Sequence, residues 1–162
     1  MILKAKMQDT TLIYLYKPKE GEILLAMKKR GLGAGKWNGI GGKLEGNETV
    51  FENAVRETKE EICVDIKGED LEKVADIDFF FDGKEEWDQH VHIFFLEKWQ
   101  GEPMETEEMK PRWCKIDEIP YGDMWIDDIL WMPRVFAGEK LKCAFTFNSD
   151  GSQILKQNIF VI

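Results

Sequence analysis

The stretch GGKLEGNETVFENAVRETKEEICV (Gly41–Val64) decides how the chain is read. Thr49 and Glu52 match a Thr-x-x-Glu capping box, which starts a helix. Val50, Ala54, Val55 and Ile62 then recur as an apolar stripe, so the spacing predicts a helix over 49–62. Glu57, Glu60 and Glu61 stand at i, i+3 and i+4, largely off that stripe, and share a face of their own. Like charges at such spacing repel by about 0.2–0.5 kcal/mol per pair, and no basic residue obviously offsets them. A hard divalent cation would remove the conflict, because Mg²⁺ is held by a few carboxylates together with waters and substrate phosphates. An acidic run taken alone is more simply a solvated helix face; the sequence around it changes that reading.

Immediately upstream, RGLGAGKWNGIGGK (Arg30–Lys43) carries six glycines and reads as a long structured loop. Loops of that length inside compact domains tend to be functional. Before it, TTLIYLY (10–16) and EILLAMK (22–28) read as strands separated by the breakers Pro18 and Gly21. After the helix, KVADIDFFF (73–81) and HVHIFFLEKW (90–99) are strand-like, with DGKE as the turn between them. A second helix is expected over 127–136, kinked or shortened by Pro133. The C-terminal KCAFTFNSDGSQILKQNIFVI reads as a hairpin turning at Asp150-Gly151. Strands, helix, strands, helix, strands, with no repeat or linker, make one α/β domain over 1–162 with a mixed sheet flanked by helices.

Composition narrows the function classes. At 162 residues and 43% hydrophobic, the chain can bury a sizeable core. Its net charge of −9 argues against a basic nucleic-acid-binding surface, but not against a phosphorylated small molecule bound through a divalent cation. No apolar run reaches the roughly 20 residues of a membrane span, and MILKAKMQDT lacks the apolar core of a signal peptide. The expectation is a cytoplasmic monomer with no nucleic-acid or membrane partner. Cys63, Cys114 and Cys143 form no metal or disulfide pattern and are read as reduced thiols. His90 and His92 alternate on a strand with nothing in the sequence completing a metal set, so they are read as structural.

Gly42, Glu48, Arg56, Glu57, Glu60, Glu61 and Val64 fall in register with Gly-x5-Glu-x7-Arg-Glu-U-x-Glu-Glu-x-Gly-U, where U is aliphatic. The stretch therefore resembles the box of the Nudix hydrolases. Two positions depart from it: Thr58 replaces an aliphatic residue, and Cys63 replaces a glycine that a left-handed turn would favour. The resemblance implies a Nudix-type α/β/α sandwich with a curved mixed sheet. It implies Mg²⁺, with Mn²⁺ as an alternative, held by Glu60 and Glu61 first, the Gly41 carbonyl, and Glu57 as ligand or water-orienting group. Which glutamate acts as base stays open. Arg56 is expected to pair with Glu48 and brace the loop.

MKKRGLGAGKWNGIGGK, EMKPRWCKIDEIP and DMWIDD, together with matches along most of the chain, resemble the animal MutT-like branch of that family. That branch hydrolyses oxidised purine nucleoside triphosphates to the monophosphate and pyrophosphate. Carried over, Asn38 reads the purine edge, Asp127 and Asp128 face the base from the opposite side, and Trp125 stacks on it. Phe79, Phe81 and Met109 wall the pocket, Thr11 and Lys28 contact sugar or phosphates, and Glu108 adds a metal ligand. From the residues alone, Asp127 and Asp128 could equally cap a helix, and the aromatics could simply be core. Leu32 stands where that branch has an aromatic residue beside the purine. A hydrolase of dinucleoside polyphosphates or nucleotide sugars, and a non-catalytic nucleotide sensor, remain the alternatives.

Overall fold

In the computed structural model, which describes residues 7–162, the capped helix α1 spans Val50–Ile62. Thr49 is its N-cap, with the side chain accepting from Glu52 N at 3.1 Å. The buried residues of α1 are Asn53, Ala54, Glu57, Thr58, Glu61 and Ile62. They form two neighbouring i, i+4, i+8 rows. Ala54, Thr58 and Ile62 make the apolar row, in which Thr58 keeps its hydroxyl satisfied by donating to Ala54 O at 2.7 Å. Asn53, Glu57 and Glu61 make a polar row beside it. This corrects the expectation that the glutamates lie off the buried face: Glu57 and Glu61 are 8% and 3% exposed, and only Glu60 looks to solvent.

Among the described residues, eight strands build the sheet: β1 (Gln8–Lys17), β2 (Glu22–Lys28), β3 (Trp37–Asn38), β4 (Glu72–Phe81), β5 (Gln89–Leu96), β6 (Met109–Lys115), β7 (Leu141–Phe147) and β8 (Ile154–Val161). Their order is β3-β2-β1-β5-β4-β7-β8, with β6 on the other edge of β2. β1 runs parallel to β5 and β4 parallel to β7, while the remaining pairs are antiparallel, so the sheet is mixed. β6 carries Pro111, which an edge strand tolerates because it leaves part of its ladder unused.

Strand alternation sends apolar side chains to both faces. Ile13, Leu15, Leu24, Phe94 and Leu96 pack with Ala54 and Ile62 of α1. Tyr14, Ile23, Leu25, Ile77, Ile93 and Phe95 pack on the opposite face with Trp131 and Met132 of the second helix, α2 (Asp128–Phe136). The result is an α/β/α sandwich. Pro133 does not break α2; the nine-residue helix passes through it, and Ile129, whose carbonyl loses its partner, lies at the surface. The C-terminal hairpin forms, but its strands are joined by six residues, 148–153, rather than by a two-residue turn. No helix among the described residues is long and apolar enough to cross a membrane.

The feature that positions the site is a split in the sheet. β1 pairs with β2 only at Tyr16–Ile23 and Lys17–Glu22. Beyond that point segment 37–43 wedges between them. Trp37 and Asn38 pair with Met27 and Ala26 of β2, while Ile40 and Lys43 bridge to Ile13 and Thr10 of β1. The wedge needs glycine: a Cβ on Gly41 (φ +155°) would lie 1.9 Å from the Thr11 carbonyl oxygen, and one on Gly42 would lie 2.5 Å from Glu57 Oε1.

Cys63 ends α1 in the left-handed conformation (φ +62°, ψ +29°), and it is the sole non-glycine residue with positive φ among those described. That conformation costs an L-residue roughly 1–2 kcal/mol, of which the extra chain entropy of glycine returns roughly 0.5–1 kcal/mol. Cys63→Gly should therefore stabilise the fold by about 0.5–1 kcal/mol, a rise in Tm of roughly 1–4 °C on a domain of this size. Thermal unfolding monitored by circular dichroism would read it, and a lower Tm would refute it.

Candidate active site

The polar row of α1 closes over the wedge. Asn53 lies at its base: its amide donates to Lys43 O at 2.9 Å and Glu48 Oε1 at 2.7 Å, and its Oδ1 accepts from the Thr11 hydroxyl at 2.5 Å. Arg56 holds Glu48 with two bonds, Nε to Oε2 at 3.0 Å and Nη2 to Oε1 at 2.8 Å. This bidentate grip, helped by Asn53, keeps the Glu48 carboxyl at about 2, well below the usual carboxylate range. The same contact raises the Arg56 guanidinium further above its already high value. Arg56 Nη1 also lies 3.2 Å from Glu57 Oε1 and 3.0 Å from Glu60 Oε2. The carboxylate crowding is therefore offset after all, by the arginine within the run itself.

Glu57, Glu61 and Glu108 converge on a cavity of about 220 Å³, lined also by Gly41, Gly42, Lys28, Arg30 and Met109. Glu61 Oε2 is buried and takes no hydrogen bond. Burial, and then the neighbouring Glu57, push the Glu61 carboxyl up to about 9, while the Gly41 amide works the other way. A buried acid with an empty acceptor atom beside two further carboxylates is a set of oxygen donors short of a cation, and this fits Mg²⁺ or Mn²⁺. Glu60 stands apart. It is half exposed, engaged by Arg56, and outside the lining of this cavity.

A second cavity, of about 360 Å³, opens on the α2 face of the sheet. Lys28, Gly41, Gly42 and Met109 line both cavities, so the two are contiguous across the wedge. Phe79 stacks on Phe147 at 5.7 Å and 8°, and Phe81 meets Trp125 edge-on at 6.0 Å. Trp125 in turn is seated against glycines: a Cβ on Gly33 would lie 3.1 Å, and one on Gly151 2.6 Å, from its ring. Lys36 Nζ lies 5.6 Å from the centre of the same ring. Leu32 also lines this cavity and is partly exposed.

At the inner end, Asn38 and the pair Asp127–Asp128 line the cavity together. Asn38 Oδ1 accepts from Tyr14 OH at 3.1 Å and from Gly39 N at 2.9 Å, which leaves its amide nitrogen free to donate. Neither aspartate caps α2. Asp127 is the N-cap residue but makes no side-chain cap bond; instead its Oδ2 accepts from Trp131 Nε1 at 3.0 Å. Asp127 Oδ1 and Asp128 Oδ2 are both buried without a partner. Burial pushes the Asp127 carboxyl up to about 7, and burial together with the Asp127 charge raises Asp128 well above the usual carboxylate range. Two adjacent carboxyls cannot both ionise cheaply in such a place, so burial favours the protonated form of at least one of them.

The structure thus brings together Lys28, Asn38, Phe79, Phe81, Met109, Trp125, Asp127 and Asp128 in one cavity, and Gly41, Glu57, Glu61 and Glu108 in the other. Thr11 lines the first cavity, but its hydroxyl is taken by Asn53 and faces α1. Sequence reasoning missed Tyr14, which orients Asn38, and Asn53. Asn53 could have been found, because it precedes Glu57 and Glu61 on the same i, i+4, i+8 row; a tyrosine in an apolar strand carries no comparable signal.

Comparison with known proteins agrees with this architecture. Residues 6–135 match the NUDIX domain. The chain is 44% identical over 137 residues to the oxidized purine nucleoside triphosphate hydrolase of Danio rerio, covering 85% of each. It is 41% identical over 149 residues to the Mus musculus protein of the same name, covering 92% of each. Among solved structures, the MutT protein from Bacillus halodurans superposes with a TM-score of 0.78 at 25% identity, over 94% of this chain and 97% of that one. A glycine wedge under a capped helix with its row of buried glutamates, and relatives this similar over most of their length, lead to one conclusion: the chain belongs to the Nudix family.

Proposed function

We propose that the chain hydrolyses oxidised purine nucleoside triphosphates, 8-oxo-dGTP and 2-hydroxy-dATP among them, to the nucleoside monophosphate and pyrophosphate, with Mg²⁺ as the required ion. The observation that carries this reading is the buried Asp127–Asp128 pair beside Asn38, in a cavity continuous with the carboxylate cavity. The zebrafish and mouse relatives bear such an activity in their names. The enzyme would work on free nucleotides in the cytoplasm, as a monomer, and remove damaged precursors before they are used.

The base would lie against Trp125, with the phenylalanines as the cavity wall, and meet Asn38 on one edge. A carboxyl pair that shares a proton offers one donor and one acceptor, so it can pair with the altered edge of either oxidised guanine or oxidised adenine. Lys28, common to both cavities, lies where the phosphate chain would pass. Glu57, Glu61, Glu108 and the Gly41 carbonyl would hold the cation, with Glu60 on the solvent side. When bound, the ion supplies charge neutralisation on the phosphates and a more acidic water. Glu57 or Glu61 takes the proton of the attacking water, and Arg56, anchored on Glu48, fixes the Glu57 carboxylate. Phosphoryl substitution asks for little more than this positioning.

Steady-state turnover of 8-oxo-dGTP, 2-hydroxy-dATP, dGTP, a dinucleoside polyphosphate and a nucleotide sugar, each with and without Mg²⁺, tests the reading. The oxidised triphosphates should lead, and a preference for either of the last two would overturn the substrate assignment. Leu32→Phe should lower KM for the oxidised purines about two- to tenfold, because a ring against the base adds about 0.5–1.5 kcal/mol. An unchanged KM would place Leu32 away from the base.

A further inference from the structure

β5 carries two histidines that the proposed reaction does not use. His90 and His92 face the same side of the sheet, opposite Val91, which lines the base cavity. Asp9 of β1 is in register with His90, while Asp76 and Asp78 of β4 are in register with His92 and His90. The imidazole centres are 4.5 Å apart, and ligand atoms of Asp9, His90 and His92 all lie within 4.8 Å of one another. His92 Nε2 is 3.1 Å from Asp9 Oδ1. Asp76 Oδ1 is 3.2 Å from His90 Nε2 and 3.4 Å from His92 Nδ1. A tetrahedral ion with bonds of about 2.0–2.1 Å needs donor separations of about 3.3 Å, which Asp9 and His92 Nε2 meet, while Asp76 faces the other ring nitrogen and can only orient the imidazole. The sequence does not show Asp9 beside these histidines; the parallel pairing of β1 with β5 brings it there.

The surroundings are prepared in the same sense. Asp78 Oδ1 holds His90 Nδ1 at 2.5 Å and so presents Nε2 to Asp76, as carboxylates do for metal-binding imidazoles. Lys73 Nζ stands 2.6 Å from Asp76 Oδ1 and 3.0 Å from His92 Nδ1, so an ammonium already sits among the donors. Its side chain is 42% exposed and can swing to solvent. Even so, Asp76 Oδ1 is buried and makes no well-aligned hydrogen bond.

We propose that His90, His92 and Asp9 form a second metal site, its fourth position open to water, that takes a nitrogen-preferring transition-metal cation such as Zn²⁺. Imidazole ligands suit Zn²⁺, whereas the oxygen-only glutamate cavity suits Mg²⁺. The site ties β1 to β5, so occupancy should also raise Tm.

Calorimetric titration of Zn²⁺ into the protein at saturating Mg²⁺ tests the site. One Zn²⁺ should bind per chain, and binding should persist in Glu61→Gln. His92→Asn should weaken it at least about tenfold, and Lys73→Gln, which removes the competing ammonium, should tighten it. Zn²⁺ uptake that is lost in Glu61→Gln and indifferent to His92→Asn would assign the ion to the glutamates and overturn the proposal, as would absence of uptake. If His92→Asn fails to fold by circular dichroism, the Lys73→Gln and Glu61→Gln titrations decide: weaker binding in the first, or loss in the second, rejects the site.

Discussion

Glu61→Gln should lower kcat by about a hundred- to ten-thousand-fold, the range for loss of a general base or of a charge positioned at the reacting centre. The amide is isosteric, and the apolar row of α1 is untouched, so the far-UV spectrum should match the parent. The two forms should nevertheless differ in how they respond to Mg²⁺. The parent buries a carboxyl with an unpartnered oxygen, whose discomfort a cation relieves. Parent Tm should therefore rise on adding Mg²⁺, by an amount that grows with concentration over Kd, and the variant should gain less. Without Mg²⁺ the order should reverse, the variant being the more stable by about 1–3 kcal/mol because a neutral amide is cheaper to bury. Near-parental turnover, or equal responses of both forms to Mg²⁺, would remove Glu61 from the metal site.

Asp128→Asn should cost about 1–3 kcal/mol in transition-state binding of oxidised purines, or roughly ten- to a hundredfold in kcat/KM. An amide cannot alternate between charged acceptor and protonated donor. Metal dependence should hardly change, because Asp128 lies in the base cavity and not among the carboxylates. The comparison is kcat/KM for 8-oxo-dGTP, 2-hydroxy-dATP and dGTP in both forms. An equal fall for all three, or none, would end the base-reading role. The pair also predicts a pH dependence. Asp127 is raised from 3.8 to about 7 in the folded protein. The folded state therefore holds a proton that the unfolded state releases at lower pH. The associated stability is complete below about pH 4 and is lost as pH rises through about 7. Tm should fall over that window in the free protein, and less steeply in Asp127→Asn.

What could be read from residues alone divides by range. α1 was legible to its last residue because Thr49, Glu52 and the apolar spacing are local signals. β1, β2, β4, β5 and the terminal hairpin were legible within a few residues for the same reason. β6 was not read as a strand, since Pro111 masks it and only pairing with β2 makes it one. β3 was invisible inside the glycine loop, because two residues become a strand only when β1 and β2 part to admit them. The burial of Glu57 and Glu61 was missed for a related reason. An acidic row reads as solvated unless one knows that a side-chain-free loop, Gly41-Gly42, is pressed against it. The partners of His90 and His92 lie at sequence distances that no motif records.

The wedge has a metrical consequence. Asn38 lines the larger cavity alone, while Gly41 lines both that cavity and the carboxylate cavity. Two residues, Gly39 and Ile40, lie between them, so the span is three steps, at most about 10 Å at strand rise, and both ends are pinned, one to β2 and the other to β1. In the proposed reaction, the segment would act as a gauge that fixes how far from a bound base the bond to be cut must lie. On that reading, one piece of chain would check both the identity and the length of the nucleotide.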